Sequence, residues 1–242
     1  DGQFDDLAVG ESRATTLSYT LDDGNGGSDT ATITVVVSGV NDAPVPVGTL
    51  GDLSKDDAST PATVDVTGAF KDADTTDKLS YTATGLPTGL TLDKTTGIIS
   101  GTLDNSASQG GPSKDGKYTV VVTADDGNGG TATQSFTYTV SNPPPDAKDN
   151  RFTTDEDKTG VVGNALTGAD TTAGTDSDPD GDTLSVVPQT DVAGSAGGQF
   201  SIAADGTVTF NPDGQFDDLA VGESRATTLT YTLDAVSYTH LT

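Results

Sequence analysis

Apolar and polar residues alternate in several short runs of the chain, and an alternation with period two predicts β-strands. One run covers residues 17–21 and the next covers 31–37, with the turn sequence DDGNGG between them. Asn and Gly tolerate positive φ angles in such turns, so the two runs are predicted to pair as a β-hairpin. An isolated hairpin is only marginally stable in water. We therefore expect residues 1–40 to be poorly anchored unless they meet another sheet.

Further alternating runs, separated by turn signals, fall between residues 44 and 142. About seven short strands in about 100 residues are typical of an antiparallel immunoglobulin-like sandwich, and no run keeps the helical period of 3.6. The polar stretch 104–115 is predicted to be an exposed loop. The candidate strands are 45–50, 63–66, 79–83, 89–92, 98–102, 118–124 and 131–140. Beyond them, the candidate core positions are Phe152, Val161, Val162, Leu184, Val186, Phe200, Ile202, Val208 and Phe210.

One stretch occurs twice: residues 1–22 and 213–234 differ only at Ser18 against Thr230. Such long-range self-similarity is the mark of a tandem repeat, so the chain is expected to be a window cut from a longer array. This interpretation divides the chain into four parts. They are half of a repeat at 1–43, a complete module at 44–142, a truncated repeat at 143–234 and a non-native tail at 235–242.

The tail, AVSYTHLT, departs from the first copy, which continues as DGNGGSDTATITVVV. It resembles the translation of a transposase adapter used in sequencing libraries, which implies read-through; a genuinely divergent end is the alternative. On the first interpretation, the natural sequence after Asp234 continues with something close to the first copy.

Charge excludes some classes of partner. The chain has 37 acidic and 11 basic residues and a net charge of −26, and only three of the acids are Glu. Such a charge repels nucleic acid and anionic membrane surfaces, whereas it suits cation binding or a surface kept hydrated in a high-salt habitat. Cysteine is absent, which excludes disulfides and thiolate metal sites. The apolar runs are too short to insert into a membrane.

The sequence offers little for catalysis. Its single His, His240, lies in the tail, so a nucleophilic Ser has no His elsewhere in the chain to act as its base. Paired carboxylates are plentiful, as a glycosidase needs, but the absence of Trp removes the usual platform for a sugar ring. The chain is therefore predicted not to be an enzyme.

Several motifs resemble known families. TGLPTGLTLDKTTGIISGTL at 84–103, followed by YTVVVTADDGNGGTATQSFTYTV at 118–140, resembles the dystroglycan-type cadherin-like module of large bacterial surface proteins. GVNDAPV at 39–45, TDEDKTG at 154–160 and DSDPDGDTLSV at 176–186 resemble the tandem cadherin-like repeats of bacterial adhesins, often of the RTX type. The resemblance implies an all-β chain of tandem immunoglobulin/cadherin-like antiparallel sandwiches, one complete and two partial. It also implies Ca²⁺ near the module junctions, an extracellular location and a role in adhesion.

The acidic loops are candidates for that metal, because Ca²⁺ takes six to eight oxygen ligands. The sequence DSDPDGD at 176–182 begins like an EF-hand loop, but its twelfth position is Val187, so it is interpreted as part of a composite site. Asp-Gly turns also form without any metal. The resemblance implies two ligand sets: Asn41, Asp42, Asp72, Asp74 and Asp125 or Asp126 in one, and Asp178, Asp180 and Asp146 in the other.

The sequence is consistent with two functions. The first is a non-catalytic extracellular spacer in a bacterial adhesin, stiffened by calcium, with any cell-surface glycan or protein bound by other parts of the parent. The alternative is an accessory module of a secreted polysaccharide-active enzyme, which would bind glycan or protein through the loop 104–115.

Overall fold

The structure is a computed structural model, and it describes residues 2–168 and 175–236. The predicted non-native tail lies outside the described residues from 237 onward, and so does His240. Among the described residues the regular elements are β-strands and two short 3-10 helices, Thr67–Ala69 and Ala107–Gln109, which confirms the all-β class. No helix among these residues is long and apolar enough to cross a membrane.

The chain divides into two compact units. The first holds the residues up to Lys55, Thr60–Leu103 and Gly110–Val140, and the second holds Asp56–Ser59, Asp104–Gln109 and the chain from Ser141 onward.

Strands β1 to β11 belong to the first unit, except for the last residue of β4 and of β11. Their bounds are β1 Ser12–Asp22, β2 Ser28–Ser38, β3 Val45–Pro46, β4 Leu53–Asp56, β5 Val64–Asp65, β6 Phe70–Lys71, β7 Ser80–Thr84, β8 Leu90–Leu92, β9 Ile98–Gly101, β10 Lys117–Asp125 and β11 Thr131–Ser141. Within this unit the sheets run in the orders β4-β11-β10-β7, β5-β9-β8, β3-β6 and β1-β2.

The core of the first unit follows from the alternation in β10 and β11. In the antiparallel register Tyr118 lies opposite Tyr138 and Val120 opposite Phe136, so the apolar residues of both strands share one face. These side chains are at most 7% exposed. The predicted sandwich pattern of these two strands is therefore confirmed.

Two expectations were wrong, one in this unit and one in a stretch that is divided between the two units. The predicted strand at 45–50 reduces to β3, and beyond it the N–H of Leu50 donates to Oε1 of Gln134 (3.2 Å). Nε2 of the same Gln134 donates to the carbonyl of Ala69 at 2.6 Å, and the N–H of Val47 donates to the same carbonyl at 2.8 Å, so both groups tie this segment to residue 69. The stretch 104–115 is not simply an exposed loop, since Ala107 is 2% exposed within a 3-10 helix. Strands β4 and β6 were not predicted.

The hairpin β1–β2 has the predicted pairing but little packing. Leu17 lies opposite Ile33 and Tyr19 opposite Ala31, so the apolar side chains gather on one face and the Thr side chains on the other. Every residue of β1 is exposed, including Leu17 at 63%. The expectation of poor anchoring covered residues 1–40; it describes the hairpin, whereas Leu7 and Ala8 in the same range are only 6% and 4% exposed.

The second unit contains β12 Gly160–Asn164, β13 Thr183–Val186, β14 Gln189–Ala193, β15 Gln199–Ile202, β16 Thr207–Asn211 and β17 Leu233–Val236. One sheet runs in the order β12-β16-β15-β14, and β13 pairs with β17 in another. Its buried core is formed by Ala165, Val186, Ile202 and Val208. Most of the predicted core positions of this part are buried or packed against that core; Val161, at 64% exposed, is not.

The first unit allows a direct test of core against surface with one residue type. Leu103 is 2% exposed, so Leu103→Ala should lower the free energy of unfolding by about 2–5 kcal/mol. Leu17 is 63% exposed, and Leu17→Ala should change the same quantity by less than about 0.5 kcal/mol. Urea unfolding of the two variants checks this, and equal losses would contradict the assignment of the core.

Candidate metal centres

The turn DDGNGG places the first carboxylate. Oδ1 of Asp126 accepts the N–H groups of Asn128 (2.7 Å) and Gly130 (3.0 Å). In the hairpin turn of the same sequence, Asp23 accepts the two equivalent N–H groups at 2.7 and 2.9 Å. Because both turns close in the same way, their geometry is a local property of the sequence.

The segment after the hairpin binds to the acidic loops of the first unit. Nδ2 of Asn41 donates to Oδ2 of Asp126 (3.0 Å), and the N–H of Asp42 donates to Oδ2 of Asp74 (2.9 Å). The N–H of Asp74 in turn donates to Oδ1 of Asp72 (3.0 Å). The linker residues are thus held against carboxylates from two different loops.

Glycine at position 130 permits this close approach. A Cβ atom there would lie 2.7 Å from Cα of Ala43, a distance that real contacts do not reach. Any larger residue would push the linker away from the turn and separate Asn41 from Asp126.

A fourth carboxylate, Asp77, completes this group, which we call the first cluster. Asp72, Asp77 and Asp126 each offer an oxygen within 4.8 Å of the others, and Nδ2 of Asn128 donates to Asp77 at 2.9 Å. Three buried oxygens of this cluster have no hydrogen-bond partner: Oδ1 of Asn41, Oδ2 of Asp72 and Oδ1 of Asp74. A buried acceptor without a partner is costly, and a cation satisfies several at once.

A second cluster lies in the second unit, where Asp178, Asp180 and Asp182 offer oxygens within 4.8 Å of one another. Asp180 is 7% exposed, and Oδ2 of Asp178 is buried without a partner. The amide of Asn142 faces Oδ2 of Asp180 (3.1 Å) and Oδ2 of Asp182 (3.2 Å). With its nitrogen on that side the amide donates to both carboxylates, and with its oxygen there it adds a ligand for a cation.

Asp57 lies in the same unit. It is 4% exposed, its Oδ1 accepts the N–H of Ser108 (2.8 Å), and its Oδ2 has no partner. Burial raises the pKa of Asp57, and the charge of Asp182 raises it further. The negative charge of the second cluster therefore affects the ionisation of Asp57.

Comparison with protein families assigns most of the chain. Residues 49–141 match the family described as Putative Ig domain, and residues 142–239 match the family described as Bacterial cadherin-like domain. The chain contains one domain of each family. No curated protein matches it.

Solved structures similar to the chain include cadherin repeats. Human mucin-like protocadherin EC1-2 is 21% identical with a TM-score of 0.40, covering 53% of this chain and 69% of that one. Mouse cadherin-23 EC22-24 is 16% identical with a TM-score of 0.42, covering 86% and 66%. A Bacteroides fragilis protein described as a putative alpha-galactosidase/melibiase is 24% identical with a TM-score of 0.28, covering 37% of this chain and only 16% of that one. Every score is below 0.5, so nothing about function follows from these likenesses.

The folded chain brings most of the candidate ligands together. Asn41, Asp42, Asp72, Asp74 and Asp126 meet in one cluster, and Asp178 and Asp180 meet in the other. Asp125 is exposed and accepts the N–H of Gly127 at 2.7 Å, outside the cluster. Asp146 pairs instead with Nζ of Lys148 at 2.5 Å.

Four residues in or near the two clusters were not among the predicted ligands: Asp57, Asp77, Asn142 and Asp182. Sequence signals existed for three of these residues. Asp77 and Asp182 end the acidic runs that contain predicted ligands. Asn142 stands at the start of a proline-containing linker, as Asn41 does in Asn-Asp-Ala-Pro. Nothing in the local sequence distinguishes Asp57, because its role depends on a contact with Ser108, 51 residues away.

The carboxylates of the first cluster differ in how readily they ionise. Burial raises the pKa of Asp72, and the charges of Asp74, Asp126 and Asp77 add to this effect. Burial also opposes ionisation of Asp126, but hydrogen bonds from Asn41, Asn128 and Gly130 outweigh it and lower its pKa. Asp126 is thus held in its ionised form, whereas Asp72 resists ionisation. A cation bound between them would favour the ionised form of both.

The donor chemistry fits calcium. Both clusters offer carboxylate and amide oxygens, which Ca²⁺ prefers, and no sulfur or imidazole. The three ion pairs found among the described residues join Arg13 to Asp6, Lys148 to Asp146 and Arg225 to Asp218, so none of them neutralises a cluster carboxylate.

The second cluster predicts a pH dependence in the absence of metal. Burial and the neighbouring Asp178 and Asp182 raise the pKa of Asp180 from 3.8 to about 7. Between these values the folded protein binds a proton that the unfolded chain has released, so stability should fall as pH rises from about 4 to about 7 and then level off. Urea unfolding in the presence of chelator, over this pH range, measures it.

Asp180→Asn should remove most of this decrease, because the amide does not titrate. Asp205→Asn is the control: hydrogen bonds from Thr207 lower the pKa of Asp205, so its titration lies below the range tested. An unchanged slope in Asp180→Asn would contradict the assignment.

Proposed function

We propose that the chain is a non-catalytic extracellular spacer of a bacterial surface adhesin, and that Ca²⁺ bound at its linkers stiffens it. The observation that carries the proposal is the contact of Asn41 and Asp42 with the buried carboxylates Asp126 and Asp74. A linker that merely joined two domains would have no need of such partners. Here its polar groups point at a cluster with three unpartnered buried oxygens.

A bound cation would act as a clamp. In the first cluster it would be held by Asp72, Asp77 and Asp126, with Asn41 and Asp74 supplying further oxygens. These groups come from the linker, from the loop after β6 and from the turn between β10 and β11. One ion held by all three would prevent the linker from leaving the turn, which is how metal binding would reduce bending.

The second cluster would act in the same way through Asp178, Asp180, Asp182 and Asn142. Extracellular calcium modules bind with Kd values of about 10⁻⁴–10⁻³ M, so the ion would be bound outside the cell and lost in the cytoplasm. This fits an extracellular location at the bacterial cell surface. In the same proposal the parent is an RTX-type adhesin. Other parts of that parent bind the cell-surface glycan or protein.

The accessory-module alternative has less support. Its binding loop, 104–115, is in part committed to the fold, since Ala107 is buried and the N–H of Ser108 donates to Asp57. A loop used in this way presents fewer free groups to a glycan.

Calcium should stabilise the protein measurably. At a concentration of about 100 Kd, a ligand that binds only the folded state adds about 2.7 kcal/mol, which corresponds to a rise in Tm of roughly 10–20 °C for a domain of this size. Thermal unfolding with excess Ca²⁺ and with chelator measures the shift. Identical Tm values would contradict calcium binding.

Ligand variants locate the ion. Asp72→Asn and Asp77→Asn should each lower Ca²⁺ affinity by at least about 10- to 100-fold, the range that even outer-shell partners show. Asp125→Asn is the matched control on the neighbouring exposed carboxylate, and it should change affinity by less than about twofold. Isothermal titration calorimetry measures all three, and an effect of Asp125→Asn equal to the others would indicate nonspecific attraction by the acidic surface.

A further inference from the structure

Side chains bind one residue of the second linker, residues 142–150, at both its N–H and its carbonyl group. The N–H of Lys148 donates to Oδ1 of Asp176 at 2.7 Å. The carbonyl oxygen of Lys148 accepts hydrogen bonds from the hydroxyl of Tyr231 at 3.2 Å and from Nδ2 of Asn150 at 3.1 Å. Three side chains, one of them 83 residues away in the sequence, therefore hold this part of the linker.

The same three side chains also bind to one another, and we call them the linker clasp. Nδ2 of Asn150 donates to the hydroxyl of Tyr231 at 2.9 Å, and this hydroxyl lies 3.4 Å from Oδ2 of Asp176. Nδ2 of Asn150 also donates to the carbonyl of Ala165 at 2.8 Å, which ties the clasp to a core residue. Asp176 is 6% exposed. Hydrogen bonds in such a buried network strengthen one another and fix a single arrangement of its members.

The clasp is joined to the loop that carries the second cluster. Asp146, in the second linker, and Ser177 exchange two backbone hydrogen bonds, of 2.8 and 3.2 Å. Ser177 stands between Asp176 of the clasp and Asp178 of the cluster. The linker and the first carboxylate of the cluster are thus positioned relative to each other by contacts on adjacent residues.

The clasp is built from groups that the cluster does not use. Its hydrogen bonds involve three side chains and backbone groups, and none of these bonds involves the carboxylates of Asp178, Asp180 or Asp182. The clasp can therefore form before an ion binds. A binding site that is ordered beforehand loses less conformational freedom on binding, which raises its affinity.

We propose that the linker clasp positions the second cluster, and that Tyr231 is a positioning residue for the ion bound there. The hydroxyl of Tyr231 acts through Asp176 and Lys148, by holding the second linker against the loop of Asp178. The inference deepens the proposed function and rests on it for the ion. The clasp itself is a property of the metal-free chain and is tested separately.

Hydrogen exchange in the presence of chelator tests the clasp. Tyr231→Phe removes the hydroxyl and keeps the ring that packs against the core. The amide protons of Lys148 and Ser177 should then exchange about 3- to 10-fold faster, which corresponds to the loss of one hydrogen bond. The N–H of Val186 donates to the carbonyl of Ala204 at 3.0 Å and should keep its rate, which shows that the unit stays folded. Unchanged rates at Lys148 and Ser177 would overturn the proposal.

A double-mutant cycle tests whether the side chains act together. Asn150→Ala should accelerate exchange at the same amides. The double variant Asn150→Ala/Tyr231→Phe should exceed the faster single variant by less than about twofold, because side chains in one network are coupled. Effects that multiply would indicate independent contacts and would contradict the clasp. If the Val186 amide shows that Asn150→Ala unfolds the unit, the Tyr231→Phe result decides alone.

Tyr138→Phe is the matched control for the lost hydroxyl. Tyr138 is 1% exposed and lies in the first unit, so this variant removes the same group from a buried Tyr outside the clasp. It should leave the exchange rates of Lys148 and Ser177 unchanged. Equal acceleration by Tyr138→Phe and Tyr231→Phe would show a general loss of stability and would overturn the proposal.

Calcium titration tests the positioning role. In an Asp77→Asn background, which weakens the first cluster, Tyr231→Phe should lower the Ca²⁺ affinity measured by isothermal titration calorimetry by about 3- to 10-fold. This is less than the roughly 10- to 100-fold effect of groups that contact a ligand directly. Tyr138→Phe should leave the affinity unchanged. Faster exchange with unchanged affinity would overturn the positioning role. If the unsubstituted chain binds no Ca²⁺, the proposed function is contradicted, and the exchange rates in chelator still decide the clasp.

Discussion

Covering of apolar sheet faces is the constraint on which the rest of this protein depends. Strands β10 and β11 place Tyr118, Val120, Phe136 and Tyr138 on one face, and the first unit buries that face almost completely. Burial of apolar area is the main favourable term in folding. A sheet whose apolar face is buried is therefore stable, and a two-stranded sheet whose apolar face is exposed is only marginally stable. The hairpin β1–β2 is of the second kind, which is why an ordinary amphipathic ribbon stands exposed beside well-packed neighbours.

Once the sheets are fixed, the loops at their ends inherit fixed positions. Asp126 follows directly from β10, and the loop that carries Asp72 and Asp74 follows β6. Rigid strands bring these carboxylates together against their mutual repulsion, and packing compensates for the electrostatic cost. Burial raises the pKa of Asp72, and the neighbouring carboxylates contribute to the same shift. A bound cation would replace the repulsion between these carboxylates with attraction to the ion. The packing that places the carboxylates is thereby connected to the proposed stiffening of the chain.

Much of this could be predicted from the sequence, for a physical reason. Alternation in 118–124 and 131–140 and the DDGNGG turns are local signals, and both produced the expected structure. The predicted strand at 45–50 is shortened to β3, and the backbone of Leu50 bonds instead to Gln134, more than 80 residues away. Asp57 was missed for a similar reason. The local pattern predicts elements well, whereas side chains that act across the fold leave no trace in their own neighbourhood.

The turn shared by Asp23 and Asp126 has a bearing on how such proteins evolve. Each Asp closes its turn with its own hydrogen bonds, so selection for folding alone preserves the carboxylate. Whether that carboxylate also serves an ion is decided elsewhere, by residues such as Asn41 that have no part in the turn. A lineage can therefore lose an ion site and recover it through changes in the linker, while the sandwich stays intact. In a long array, joints of different stiffness can then arise one at a time, with every domain still folding as its ancestor did.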